Sequence, residues 1–140
     1  MNRVDKAEAL FESGCNCAQS VFVAFADEFG IEEETAKRVS CGLGGGVGRM
    51  REVCGAVSGA SLILGLRHGP DKAAVYPKVQ DFCREFKQAC GSLVCRELLA
   101  GTNATQGGTP EPRTEEYYRV RPCARFVKLA AELLEKSAAR

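Results

Sequence analysis

Apolar positions along this chain recur every three to four residues, without any convincing stretch of strict alternation, and that period predicts helices throughout. Val4, Ala7, Leu10 and Phe11 share one face of a first helix that Gly14 ends. Ala18, Val21, Phe22, Phe25 and Phe29 line a second, with Asn16 as its N-cap and Gly30 as its stop. A third opens on Glu32-Glu33-Glu34, favourable charges for a helix start, and runs through Ala36 and Val39 to Cys41. Beyond the glycine-rich run Gly42 to Gly48, the segment Cys54-Gly55-Ala56-Val57-Ser58-Gly59-Ala60 begins a fourth helix, closed by Gly65 or by Gly69 and Pro70. A fifth starts near Asp71, carries Val75, Val79, Phe82, Cys83, Phe86 and Cys90 on one stripe, kinks at Pro77 and stops at Gly91. Ser92 caps a short sixth containing Cys95, Leu98 and Leu99, and Pro122 opens a last one that buries Cys123, Phe126, Val127, Ala130, Leu133 and Leu134. The fold class is therefore all-α: a single compact domain over residues 1–140, with about six or seven helices and a glycine-rich turn before the central small-residue helix. Residues 101–121, rich in Gly, Thr, Asn and Pro, form a long loop or a lid.

The glycine run is too flexible to continue a helix and too apolar for an exposed linker, so something packs closely against it. Gly55 and Gly59 lie four residues apart on one helix face, where another backbone or a ligand could approach Cys54. Spacing alone favours tight helix packing. The same face would suit a helix-packed homodimer, although an internal contact explains it equally well.

Charge narrows the class. Lys and Arg total 19 against 18 Asp and Glu, a formal charge of +1, which gives no electrostatic footprint for nucleic acid. The N-terminal residues are charged, and no apolar run reaches membrane-spanning length, so the expectation is a cytoplasmic protein without membrane insertion. Eight cysteines are many for such a compartment, where they point to metal or redox chemistry more than to a static disulfide framework.

Position sorts the cysteines better than spacing. Cys17 follows the cap Asn16, Cys95 follows Ser92, Cys123 follows Pro122, and Cys54 lies shortly after the glycine turn. All four fall near helix starts, where free N–H groups and the dipole favour a thiolate. Cys83 and Cys90 read as core residues on an apolar stripe, and Cys15 and Cys41 as spare ligands or resolving thiols. The absence of C-x-x-C argues against a thioredoxin-type dithiol, and the absence of C-x-x-C-H against covalent haem. The lone His68 reads as a helix-end histidine; Arg49 and Arg51 could stabilise thiolates or a cluster's charge next to Cys54, but a solvated face is the favoured account. Tyr117 and Tyr118 stand in the long loop, from which they could cover a site.

These residues resemble the C_GCAxxG_C_C family of redox-active proteins. The resemblance rests on Asn16-Cys17-Ala18-Gln19-Ser20-Val21, Gly44-Gly45-Gly46, Cys54-Gly55-Ala56-Val57-Ser58-Gly59-Ala60, Gly91-Ser92-Leu93-Val94-Cys95 with Glu97-Leu98-Leu99, and Cys123. It implies that Cys17, Cys54, Cys95 and Cys123 are the family's characteristic cysteines. A similar region accompanies haem domains in split-Soret cytochromes together with an iron–sulfur centre, which lends weight to cluster binding here without the haem. The departures are Cys15, Cys41, Cys83 and Cys90, which the pattern does not include.

Three functions follow as expectations. In the first, Cys17, Cys54, Cys95 and Cys123 hold an iron–sulfur cluster, most simply a two-iron one, with Gly55 and Gly59 making room for it, and pass electrons to a redox partner that the residues do not identify. In the second, a cofactor-free thiol–disulfide protein uses Cys54 as its low-pKa thiol, with Cys17 as the other catalytic thiol. In the third, the four cysteines form a structural or trafficking site for zinc. A helical domain with buried cysteines and no site is the alternative to all three.

Overall fold

The second helix is the physical centre of the molecule. In the computed structural model, which describes residues 1–138, α1 (Arg3–Glu12) leads into α2 (Cys17–Ala26). Its sequence, CAQSVFVAFA, holds no charged side chain, and every residue from Ala18 to Ala26 except Gln19 is buried. A helix that is apolar on all sides belongs inside. Complete burial of Phe25 alone contributes about 2–3 kcal/mol. The start of α2 is fixed by a capping box: Asn16 Oδ1 accepts from the Gln19 N–H at 2.8 Å, and Gln19 Oε1 accepts from the Asn16 N–H at 3.0 Å.

Four elements surround α2: α1, α3 (Glu33–Cys41), α5 (Gly55–His68) and α9 (Cys123–Ala138), while α6 (Lys72–Cys90) packs on α5 and α9. Shorter pieces complete the fold: α4 (Gly44–Val47), α7 (Cys95–Leu98) and α8 (Glu115–Val120). The all-α expectation holds. Among the described residues no strand forms, and Val53 and Val94 make one isolated antiparallel bridge.

The seam between α2 and α5 is set by Gly59. A Cβ built there would stand 2.7 Å from the Ala18 carbonyl oxygen, so a larger residue would force the helices apart. Gly55 meets Ala18 in the same way, at 3.0 Å from its nitrogen. The backbone that approaches these glycines is therefore the chain's own α2.

Several boundaries differ from expectation. The helix after Gly91 begins at Cys95 with Val94 as its cap, because Ser92 Oγ instead accepts from the Val94 N–H at 3.0 Å and closes a turn. Pro122 stands one residue before α9. The long loop contains α8, which Thr114 caps by accepting from the Tyr117 N–H at 3.1 Å. The assignment of α6 runs continuously through Pro77. The glycine run coils left-handed, with φ between 56° and 70° at Gly45, Gly46, Val47, Gly48 and Arg49, and a further positive φ of 61° at Arg51. Among the described residues, no helix is long and apolar enough to cross a membrane.

Candidate functional site

Cys17, Cys95 and Cys123 are each the first residue of a helix, and Cys54 is the residue that caps α5. The fold turns all four starts inward, around one small cavity of about 40 Å³ that all four cysteines line together with Gly55 and Tyr117. Cys54 and Cys95 are brought together by a short antiparallel pairing on either side of the Val53–Val94 bridge. The Cys54 N–H donates to the Leu93 carbonyl at 2.8 Å, the Cys95 N–H donates to the Glu52 carbonyl, and the Arg96 N–H donates to the Arg51 carbonyl at 3.1 Å. Gly46 makes room for that pairing. A Cβ on it would stand 2.7 Å from the Cys95 Cβ and 2.6 Å from the Glu52 nitrogen.

Gly59 does not line the cavity; helix packing against Ala18 uses it fully. Cys15 is buried beside the site, and Cys41 is exposed. Cys83 and Cys90 lie on α6, half-buried against the core, as core-packed thiols should. His68 is the last residue of α5.

Electrostatics separates the four inner thiols. The neighbouring Cys17 thiol holds Cys123 down at about 7 against the burial that would raise it, helped by the positive charges of Arg121, Arg51 and Arg113. The neighbouring Cys123, together with burial, pushes Cys17 well up. Cys54, expected to be the low-pKa thiol, is instead raised to about 12. Desolvation outweighs the two α5 N–H groups, of Ala56 and Val57, that favour its thiolate. Burial also raises Cys95, against the Arg51 guanidinium, whose Nη1 stands 3.7 Å from its sulfur.

The arginines expected on a solvated face are part of this site. Arg51 is only 7% exposed. Glu111, from the 101–121 segment, accepts from Arg49 at 2.8 Å and Arg51 at 2.9 Å through one oxygen, and from Arg121 through the other. Burial pushes the Glu111 carboxyl up, but these bonds hold it below the ordinary carboxylate range. Arg49 Nη2 and Arg51 Nη2 also donate to the Thr105 carbonyl, at 2.9 and 2.7 Å. The segment is thereby strapped across the site. Tyr117 lines the cavity from α8, and Arg113 lies 4.8 Å over its ring. Sequence reasoning missed α8, although Thr114 followed by Glu115 and Glu116 is a legible helix start. It missed Glu111 because nothing local distinguishes a carboxylate whose partners lie 60 and 62 residues away.

Thiols and guanidinium groups around one cavity in a helical domain define a class: an all-α protein with an internal, cationic, cysteine-lined site. The family described as "Putative redox-active protein (C_GCAxxG_C_C)" matches residues 15–137, and the chain belongs to that family. No curated protein and no solved structure matches the chain.

Proposed function

We propose that the site is a dithiol redox centre in which Cys123 is the attacking thiolate and Cys17 the resolving thiol. What carries this reading is that Cys17 and Cys123 line one cavity with Arg51 and Arg113, and that Cys123 is held low while Cys17 is raised. The Cys123 thiolate attacks one sulfur of an external disulfide, breaking its S–S bond and releasing one thiolate. That leaving group takes the Cys17 proton. Cys17, now a thiolate, then attacks Cys123 Sγ and expels the second group as a thiolate, which takes a proton from solvent, leaving a Cys17–Cys123 disulfide; the protein's thiolate and thiol are oxidised by two electrons as one external disulfide is reduced to two thiols. Tyr117 and the 101–121 segment cover the cavity and restrict access. Cys54 stays protonated at neutral pH and serves as a buried wall.

A second reading has a specific observation behind it. Four thiols from four helix starts, beside a surplus of arginines, are the donor set and counter-charge of an iron–sulfur site, with Cys17, Cys54, Cys95 and Cys123 as ligands and electron transfer as its chemistry. As positioned, however, no three His, Cys, Asp or Glu side chains among the described residues are grouped closely enough to hold a metal ion. This arrangement does not fit a cluster or zinc unless the sulfurs draw together.

Alkylation of the reduced, anaerobically purified full chain across neutral pH, mapped by mass spectrometry, tests the first reading. Cys123 labelling should rise with pH around a midpoint of about 7, and mild oxidation should join Cys17 to Cys123. Unreactive Cys123 with no such disulfide would sink the dithiol. Stoichiometric iron and sulfide with visible charge-transfer bands would replace it by the cluster reading, and stoichiometric zinc by the zinc site.

A further inference from the structure

A second and larger cleft, of about 440 Å³, adjoins the cysteine cavity, and Asn16, Gly45, Arg51, Arg113 and Tyr117 line both. Its walls carry Arg49, Arg51, Arg113 and Arg121, with Glu111 as the one carboxylate among the described lining residues. Four guanidinium groups against one carboxylate leave three positive charges in a concave, partly dry place. On a chain whose whole formal charge is +1, that concentration is local and not a consequence of composition. Gly44, Gly45 and Gly48 form another part of the wall; the Asn16 side chain packs on Gly44 and the Arg49 side chain on Gly45, while Gly48 faces open space. Arg49 Nε is buried without an acceptor among the described residues. Arg51 spans the two spaces, with Nη2 on Glu111 and Nη1 3.7 Å from the Cys95 sulfur.

We propose that this cleft binds the substrate of the dithiol, and that the substrate is a small disulfide carrying carboxylates. The inference rests on the dithiol reading for its chemistry and on the arginine cleft for its specificity. Surplus positive charge in a low-dielectric cleft selects and steers an anion. A cleft of this size falls in the range of small-molecule sites. The shared wall at Arg51 and Tyr117 delivers the bound disulfide's sulfurs toward Cys123, while its carboxylates stay among the guanidinium groups. The electrons and atoms then move as in the exchange above: one external disulfide in, two carboxylate-bearing thiols out.

Matched probes separate the two claims. Reduced full-length protein is mixed with dithiodipropionate, with the neutral bis-hydroxyethyl disulfide, or with the cationic cystamine, and the oxidation rate is followed against ionic strength. Dithiodipropionate should react roughly tenfold or more faster than the neutral disulfide at low salt, with the advantage shrinking as salt rises, and cystamine should be slowest. Arg49→Gln should narrow the anionic-to-neutral ratio and Arg49→Lys should largely restore it. Should Arg49→Gln not fold, the wild-type series and its salt dependence decide alone. Suberate, which replaces the sulfurs by methylenes, reports the cleft without thiol chemistry: calorimetry should show it bind where octanediol does not. Equal rates for anionic and neutral disulfides, or no suberate binding, would overturn the cleft. Suberate binding with no reaction of any disulfide would keep the anion cleft and sink the dithiol.

Discussion

The site has two walls of opposite construction. One is made by α2, α5 and α9 and is apolar: small residues close the α2–α5 seam, and Phe126 of the buried α9 face reaches the cavity. The other is made by residues 101–121 and is held by charge, with one carboxylate serving three arginines. The first wall fixes where the sulfurs stand. The second adds to the charge they feel: the Cys17 thiol of the first wall does most to hold Cys123 low, and Arg121 and Arg51, gathered by Glu111, lower it further. The first wall therefore positions the sulfurs and does most of their tuning, and the second supplies a further part of the tuning that should fail by itself.

The largest effect should come from breaking the apolar wall. Gly59→Leu places a branched side chain where even a Cβ would lie 2.7 Å from the Ala18 carbonyl oxygen, and backbone cannot yield as a flexible side chain would. Overpacking at such a seam costs about 3 kcal/mol. Thermal unfolding should show a Tm lowered by many degrees, with every inner thiol becoming reactive at once. A Tm near the wild-type value would mean that α2 and α5 are not packed through Gly59.

Breaking the charged wall should cost less globally and act more locally. Glu111→Gln keeps the shape but leaves Arg49, Arg51 and Arg121 without their shared anion, a loss of about 2 kcal/mol for a mostly buried, charge-assisted network. Hydrogen exchange should rise over residues 101–121 while α2 and α5 keep their protection. The removed negative charge should also move the midpoint for Cys123 labelling downward from about 7, provided that the arginines stay in place. An upward move would mean that the strap's release carries the arginines away, making Glu111 the residue that positions them. Uniform loss of protection would instead show that the two walls are one cooperative unit.

The two walls also differ in how far the sequence reveals them. Helix periodicity, the Asn16 cap and the Gly55–Gly59 spacing were enough for the apolar wall, because each is a local pattern that a helix must satisfy. The convergence of Cys17, Cys54, Cys95 and Cys123 was legible as a set of helix starts. Which of the four thiols is acidic was not: desolvation at Cys54 and the placing of Cys17 beside Cys123 arise only from packing. The charged wall stayed hidden for the same reason. Arg51 looks like any surface arginine until a turn of left-handed backbone points it inward to Thr105 and Glu111.

That turn is where the walls meet, and it provides the smallest test. Val47 sits within it at φ 65° yet is 43% exposed, so its β-branched side chain bears left-handed strain with little burial in return. Left-handed backbone costs a non-glycine residue about 1–2 kcal/mol, and glycine gives back about 0.5–1 kcal/mol through the freedom of the unfolded chain. Lost burial of the half-covered side chain offsets most of the remainder, so Val47→Gly should leave the denaturant midpoint close to the wild-type value at unchanged slope. The labelling midpoint of Cys123 should not move, since relief of strain alters neither the neighbouring Cys17 nor the arginines that set it. A destabilised variant would show that Val47 contributes packing beyond its half-exposed surface, and a shifted midpoint would show that strain in the turn holds the arginines against the sulfurs.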